Sequence, residues 1–170
     1  MIETERLQLR PFNKDDAPAF AQMFADPEAR RYTRYNSDNT PTEITAVFEN
    51  HFLQNQQTSF AIILKATQEL IGFFEFHDGG VMTYLLMQKH WRRGYMPEAG
   101  RAAIAYGFNQ LGYSRIEGDY ADVNGASGRV LEKMGLLPDG DLGTFDMDDG
   151  THVKVMVYRL THQQWLHSQQ

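Results

Sequence analysis

The sequence predicts a mixed α/β domain around a mainly antiparallel sheet, in the order β-α-α-β-β-β-α-β-α-β-β. Three observations carry that expectation. Three short strand-like runs, 59–65 (SFAIILK), 70–77 (LIGFFEFH) and 81–88 (VMTYLLMQ), are joined by turns at 67–69 and Asp78-Gly79-Gly80. Parallel neighbours need crossovers of roughly a dozen residues, so these runs pair as an antiparallel meander. Ala99, Ala103, Ile104, Phe108 and Leu111 form an apolar stripe at helical spacing, and Gly112 stands at its end. After it, strand and helix patterns alternate to the C-terminus.

The elements follow in chain order. Over 5–12, Leu7 and Leu9 share one side of a strand, with Arg6, Gln8 and Arg10 on the other. Asp15, Asp16 and Pro18 open a helix carrying Phe20, Met23 and Phe24, which Asp26-Pro27 ends or interrupts. Thr40 with Glu43 fits a capping box and Pro41 the first helical position, so a second helix follows Asn39, with Ile44, Val47, Phe48, His51 and Phe52 on its apolar face. The long helix runs from about Pro97 to Leu111, then come a strand at 115–123, a helix at 126–134 stopped by Gly135, and a hairpin ending in a strand at 153–160.

Composition narrows the function classes. The chain has 170 residues, 42% of them hydrophobic, which fits a single domain over 1–170 with a real core. It has no cysteine, which excludes disulfide scaffolds, thiolate metal sites and a cysteine nucleophile. A net charge of −6 disfavours sequence-independent nucleic-acid binding. MIETERLQLRPF lacks an apolar signal core and no run approaches the roughly 18 residues of a membrane helix, so a cytoplasmic protein without a membrane partner is expected. The six histidines lack metal-site spacing, and the acidic residues Asp139, Asp141, Asp146, Asp148 and Asp149 lack EF-hand spacing, so no metal is expected.

Two segments carry chemistry. In 88–97 (QKHWRRGYMP) a strand ends, two arginines and a glycine follow, and a helix begins. That arrangement aims backbone N–H groups at one point and suits a phosphate or pyrophosphate. It lacks the Gly-Lys-Ser/Thr ending of a P-loop, and by itself it also reads as a solvated basic turn. In 122–136 (DVNGASGRVLEKMGL), Asn124 ends a strand and could cap a helix, with Ser127 in its first turn, so the plain reading is a capped amphipathic helix.

Together these segments resemble the GCN5-related N-acetyltransferase (GNAT) superfamily, and within it the RimJ/RimL type that acetylates ribosomal-protein N-termini. TERLQLRPF resembles that type's opening, LIGFFEFHD its third strand, HWRRGYMPEA its acyl-CoA loop, DVNGASGRVLEKMGL its late strand and helix, and VKVMVYRLTHQQW its closing strand and tail. The resemblance implies the GNAT fold, with acetyl-CoA in a splayed gap between the fourth and fifth predicted strands. It implies direct transfer of acetyl to a primary amine, which needs no covalent enzyme intermediate and hence no cysteine. The acceptor so implied is a protein or peptide N-terminal α-amine; a small amine such as a polyamine, an amino acid or an antibiotic is the rival, and a non-catalytic acyl-CoA-binding module stands against both. Either a monomer or a homodimer fits.

The implied site follows residue by residue. Leu85, Leu86 and Met87 would pair with pantetheine, and the amides of Arg92, Arg93, Gly94, Tyr95 and Met96 would meet the pyrophosphate. Arg129 and Lys133 would reach CoA phosphates. Asn124 would hold the cofactor near the thioester, and Ser127 would serve the departing thiolate. Arg31, Tyr32, Tyr35 and Tyr84 would border the acceptor, with Arg30 and Arg34 nearby in the 29–39 connector. Three departures stand out: Met96-Pro97 where the loop is usually smaller, Val81-Met82-Thr83-Tyr84 without the strand carboxylate, and Leu131 in place of an acid tyrosine. The base is open among Glu75 and His77, which share a strand face, and Asp119 and Asp122; Glu75 is ranked first.

Overall fold

The computed structural model describes residues 1–35, 40–147 and 149–170; residues 36–39 of the predicted connector and Asp148 of the predicted acidic hairpin lie outside the described residues. The elements are β1 (Ile2–Glu3), β2 (Leu7–Arg10), α1 (Ala17–Phe24), α2 (Pro27–Arg30), α3 (Pro41–Val47), β3 (Ser59–Leu64), β4 (Glu69–Phe76), β5 (Met82–Leu86), α4 (Tyr95–Asn109), β6 (Arg115–Ala121), α5 (Gly125–Met134), β7 (Leu137–Asp146), β8 (His152–Thr161) and α6 (His162–Ser168).

Local chemistry fixes the boundaries. Thr40 and Glu43 complete the expected capping box of α3, and Gly135 closes α5 in a left-handed conformation. Asp26 does more than end α1: its carboxylate accepts from the amides of Glu28 and Ala29 and so starts α2, an extra turn of helix the pattern did not reveal. A further capping box at Thr161 and Gln164 turns the C-terminal tail into α6, whose Trp165 packs its ring 5.4 Å from that of Phe108. α3 runs on into a wide π turn over Phe48–Phe52, closed by the Leu53 N–H on the Phe48 carbonyl at 3.0 Å.

The expected sheet is two sheets. β1-β2-β3-β4-β5 form one and β6-β8-β7 the other, all pairs being antiparallel. They touch at one isolated parallel bridge, Val81 with Glu117. α4 and α5 cover one face of the larger sheet, where Leu9, Ile62, Ile71 and Phe74 meet Ala99, Ala103, Ile104 and Leu131. α1 to α3 cover the other, where Ile63, Phe73 and Leu85 meet Phe20, Phe24, Phe48 and Phe52. β4 is buried on both faces, which is why its sequence reads as an almost unbroken apolar run. Among the described residues no helix is long and apolar enough to cross a membrane.

The turn between β4 and β5 gives a test of the junction. Gly79 and Gly80 both have positive φ (77° and 83°), but a Cβ on Gly79 would meet nothing within 4 Å, whereas one on Gly80 would lie 2.4 Å from the Arg115 carbonyl of β6. Gly79→Ala is expected to cost about 1 kcal/mol, the backbone term alone. Gly80→Ala should cost roughly 2–4 kcal/mol because β6 must also give way. Urea melts of the two variants measure the difference.

Candidate active site

The site begins where the sheets part. Past the Val81–Glu117 bridge, β5 and β6 have no further pairing among the described residues. The amide of His77 donates to the Val81 carbonyl (2.7 Å) and that of Met87 to the Ile71 carbonyl (2.9 Å). Antiparallel alternation therefore turns the backbone groups of Val81, Thr83, Leu85 and Met87 towards β4, and those of Met82, Tyr84 and Leu86 towards the opening. Of Leu85, Leu86 and Met87, only Leu86 offers its backbone to the gap; Tyr84 does so too. The Leu86 carbonyl is already taken by the Trp91 indole N–H at 2.6 Å. Trp91 thus anchors the loop through its nitrogen while its ring stays exposed.

A loop with the geometry to receive an anion lies at one end of the opening. Arg92 and Gly94 both adopt left-handed backbone (φ 61° and 77°) just before α4. Among the described residues, the N–H groups of Arg92, Arg93, Gly94, Tyr95 and Met96 have no protein acceptor. Neither Arg92 nor Arg93 pairs with a described carboxylate, so both guanidinium groups are available. Pro97 is the third helical residue, not the first, since α4 starts at Tyr95; no intrahelical bond is lost there, because the Glu98 amide makes the first one, to Gly94. Met96 sends its side chain into the core and leaves its amide at the helix start.

The N-terminal segment pins this loop. The Glu98 carboxylate accepts from the Thr4 hydroxyl (2.6 Å), the Arg6 amide (2.9 Å) and Arg6 Nε (2.7 Å). Arg6 Nη1 also donates to the Arg93 carbonyl at 3.0 Å, and its guanidinium lies 4.5 Å from the centre of the Tyr95 ring. One side chain thereby fixes Arg93, Tyr95 and Glu98 together.

Across the gap, Tyr84 reaches from β5 to α5, its hydroxyl 2.9 Å from Ser127 Oγ. Burial pushes the Tyr84 pKa up to about 12, so the phenol stays protonated. Asn124 sits at the N-cap position of α5, but its side chain makes no cap bond and remains available to a ligand. Arg129 and Lys133 are exposed on the same helix. The Tyr84 ring packs on the α4 side of the sheet, on the face opposite Leu85.

The opposite face holds a buried carboxylate. Glu75 is 0% exposed and accepts from the Tyr35 hydroxyl (2.5 Å), His51 Nε2 (2.7 Å) and Ser59 Oγ (3.3 Å), with His77 Nε2 at 3.1 Å. Burial alone would raise its pKa; the hydrogen bonds from His51, His77 and Tyr35 outweigh burial and hold it at about 2. Tyr35 is itself buried, a support for Glu75 more than an open acceptor contact. His51, Glu75 and His77 also form a group whose ligand atoms lie within 4.8 Å of one another and could hold a metal ion, which the histidine spacing did not suggest. The groups that hold these histidines favour a proton network. The Asn55 side-chain nitrogen donates to the His51 carbonyl (2.9 Å) and lies 3.1 Å from His51 Nδ1. A carbonyl only accepts, so that nitrogen is the NH2, His51 Nδ1 is an acceptor, and the ring proton sits on Nε2 facing Glu75. A metal on Nε2 would require the proton on Nδ1, against the amide.

The remaining predicted residues fall around this centre. Arg31 pairs with Asp149 of the β7–β8 turn at 2.8 Å and lies over the Tyr32 ring, which is exposed. Asp122 is spent on the Val123 and Lys154 amides. Asp119 lies on the bank of β6; partial desolvation raises its pKa, Arg34 opposes the rise and Glu117 adds to it. His51, Asn55, Ser59 and Thr83 were not singled out from the sequence as site residues. His51 looks like part of an apolar helix face there, and only the contact of the π turn after α3 with Glu75 of β4 reveals its role.

The comparisons with known proteins agree with this geometry. An acetyltransferase (GNAT) domain profile matches residues 6–137. The chain belongs to the GNAT acetyltransferase family. It is therefore an N-acetyltransferase with acetyl-CoA as cosubstrate. A Bacillus subtilis (strain 168) protein described as uncharacterized N-acetyltransferase YoaA is 31% identical over 171 residues, covering 94% of this chain and 96% of that one. An acetyltransferase (GNAT family) from Bacillus anthracis superposes with a TM-score of 0.82 at 24% identity, over 95% of this chain and 98% of that one. A Vibrio cholerae spermidine N-acetyltransferase solved with CoA and spermine gives 0.81 at 18% identity, over 96% and 99%. These two solved structures share the GNAT fold.

The loop residues fit the phosphates of CoA: five uncommitted amides, two left-handed residues and two unpaired arginines meet at one helix start. Because Arg6 fixes that loop, Arg6→Gln is expected to weaken CoA binding about tenfold (~1.4 kcal/mol), read by calorimetry without turnover. Glu75 gives a stability prediction. Its pKa falls from the ordinary 4.5 to about 2 on folding. The carboxylate therefore contributes roughly 3 kcal/mol above pH 4.5 that is lost as pH falls through 2. Glu75→Gln should flatten the pH dependence of unfolding free energy in that window and lower stability at pH 7.

Proposed function

We propose that this chain, as one acetyltransferase domain, moves acetyl from acetyl-CoA directly to a primary amine, and that the acceptor is the N-terminal α-amine of a protein or peptide. The observation that carries the transfer chemistry is the opening past Val81–Glu117, with an anion-binding loop at one end and proton-handling groups on both faces. The choice of acceptor, and the RimJ/RimL-type assignment, rest on the sequence motifs at the opening, the loop and the tail. When bound, acetyl-CoA supplies a thioester that takes the amine nitrogen at its carbonyl carbon and releases its sulfur.

The chain's own residues do the rest. Arg92, Arg93 and the amides of 92–96 hold phosphate, with Arg129 and Lys133 reaching it from α5. Leu86 N–H and the Tyr84 backbone line the arm of the gap, and the Asn124 side chain orients the acyl end. Tyr84 keeps its proton, and either hydroxyl of the Tyr84–Ser127 pair can donate; with Tyr84 as donor, the Ser127 O–H is free to protonate the departing sulfur. On the acceptor side the amine must shed a proton, and the Glu75 cluster receives it. Arg31 and Tyr32 frame the way in, and Tyr35 braces Glu75 behind them.

Thiol release from acetyl-CoA, measured across peptides with free and blocked N-termini and across polyamines and amino acids, tests the reading. Turnover on free but not blocked peptides is expected; turnover on small amines alone moves the acceptor class, and CoA binding without any turnover leaves a binding module. Ser127→Ala should lower kcat about 100-fold with little change in CoA affinity.

A further inference from the structure

Within the Glu75 cluster the sites able to accept a proton are few. Glu75 is sealed from solvent, and its two oxygens already face four donors, from Tyr35, His51, Ser59 and His77. A carboxylate offers about four lone-pair sites, so it has none left for an incoming amine or water. His51 is committed at both nitrogens: Nε2–H to Glu75, and Nδ1 to the Asn55 amide. His77 differs. Its Nε2 lies 3.1 Å from Glu75 Oε1 and 3.1 Å from Thr83 Oγ1. The Thr83 hydroxyl can donate or accept, but a lone pair on Nε2 would face the ionised Glu75 carboxylate 3.1 Å away, so the ring proton belongs on Nε2 and the lone pair on Nδ1. Among the described residues Nδ1 has no partner, and it is absent from the nitrogens sealed away from solvent without one.

Position agrees with chemistry. His77 is bonded through its backbone to Val81, the residue at which the sheets part. Its side chain meets Thr83 of β5 on the face away from Tyr84 and Ser127. The titratable groups around the ring are Glu75 on its own strand and His51, whose ring lies parallel to it with centroids 6.1 Å apart; Tyr35 meets both Glu75 and the His51 ring. Asp119 on β6 feels the charge of Arg34.

We propose that His77 is the general base of the acetyl transfer, taking the amine proton on Nδ1 directly or through one water, and that Glu75 is the positioning residue that fixes its tautomer. This rests on the acetyltransferase reading above. As the amine nitrogen bonds to the acyl carbon, its proton passes to Nδ1; the carbon–sulfur bond breaks, the sulfur takes the proton from Ser127, His77 returns its proton to water, and Ser127 takes one back from water, so no net proton is left on the protein. The imidazolium so formed faces the Glu75 carboxylate, which stabilises it without taking its proton, as the aspartate does in a Ser-His-Asp triad.

The test compares wild type with His77→Gln, His77→Asn, Glu75→Gln and His51→Gln. Calorimetry with CoA and thermal melts establish that each is folded and binds. For the His77 variants kcat/KM for the amine should fall 10²–10⁴-fold and the acid limb of its pH profile should vanish, with CoA affinity within threefold of wild type. Glu75→Gln should lower the rate while a displaced acid limb remains. Nitrogen-15 NMR of the wild type should report a His77 Nε2–H tautomer that Glu75→Gln abolishes. A His77 variant that folds, binds CoA and keeps its acid limb within threefold of the wild-type rate overturns the proposal, as does a wild-type His77 carrying its proton on Nδ1 at neutral pH. The NMR result decides the case even where the His77 variants do not fold. Wild-type protein that binds no CoA fails at the acetyltransferase reading itself, a result separable from activity that survives loss of His77.

Discussion

An ionised carboxylate with no exposure to water must be met on all its lone pairs, because burying such a charge unpaired costs several kcal/mol. Glu75 imposes that constraint at the middle of the fold. Its donors come from separate places in the chain: Tyr35 after α2, His51 in the turn that ends α3, Ser59 at the start of β3 and His77 just past its own strand. Satisfying one side chain therefore places the helical layer over the sheet and fixes the histidines around it. The phenylalanine cluster beneath supplies apolar area, but area does not choose one angle of approach; four directed donors do.

The second organising fact is alternation along β5. Successive side chains point to opposite faces, so Thr83 joins the His77 group while Tyr84 joins Ser127. A reaction that removes a proton from one partner and gives a proton to the other needs those two tasks kept apart, and a single strand does this. Backbone groups sort by the same period, which is why Leu86 faces the gap and its neighbours do not. The anion loop is held from outside the gap, by the Arg6 and Glu98 pair that ties the N-terminal strands to α4.

Much of the scaffold was legible because it is written in local chemistry. Thr40, Pro41 and Glu43 announce α3, Gly135 stops α5, and short turns dictate the meander. The anion loop was legible for the same reason, since its arginines, glycine and helix start are consecutive. What the sequence hid depends on contacts between distant residues. Asp26-Pro27 reads as a stop, yet the same aspartate starts a new helix. Leu85, Leu86 and Met87 look equivalent until the pairing register divides them. Asn124 has the type and place of a cap but makes no cap bond. Glu75 was visible as a charge among phenylalanines, while its four donors, spread over residues 35 to 77, were not.

The wide turn over Phe48–Phe52 fits one more residue into its circuit than an ordinary helical turn holds. It lets Phe48 and Phe52 stay in the core while His51 between them reaches Glu75. The position of that imidazole is therefore set by the pitch of the backbone as much as by the identity of the side chain.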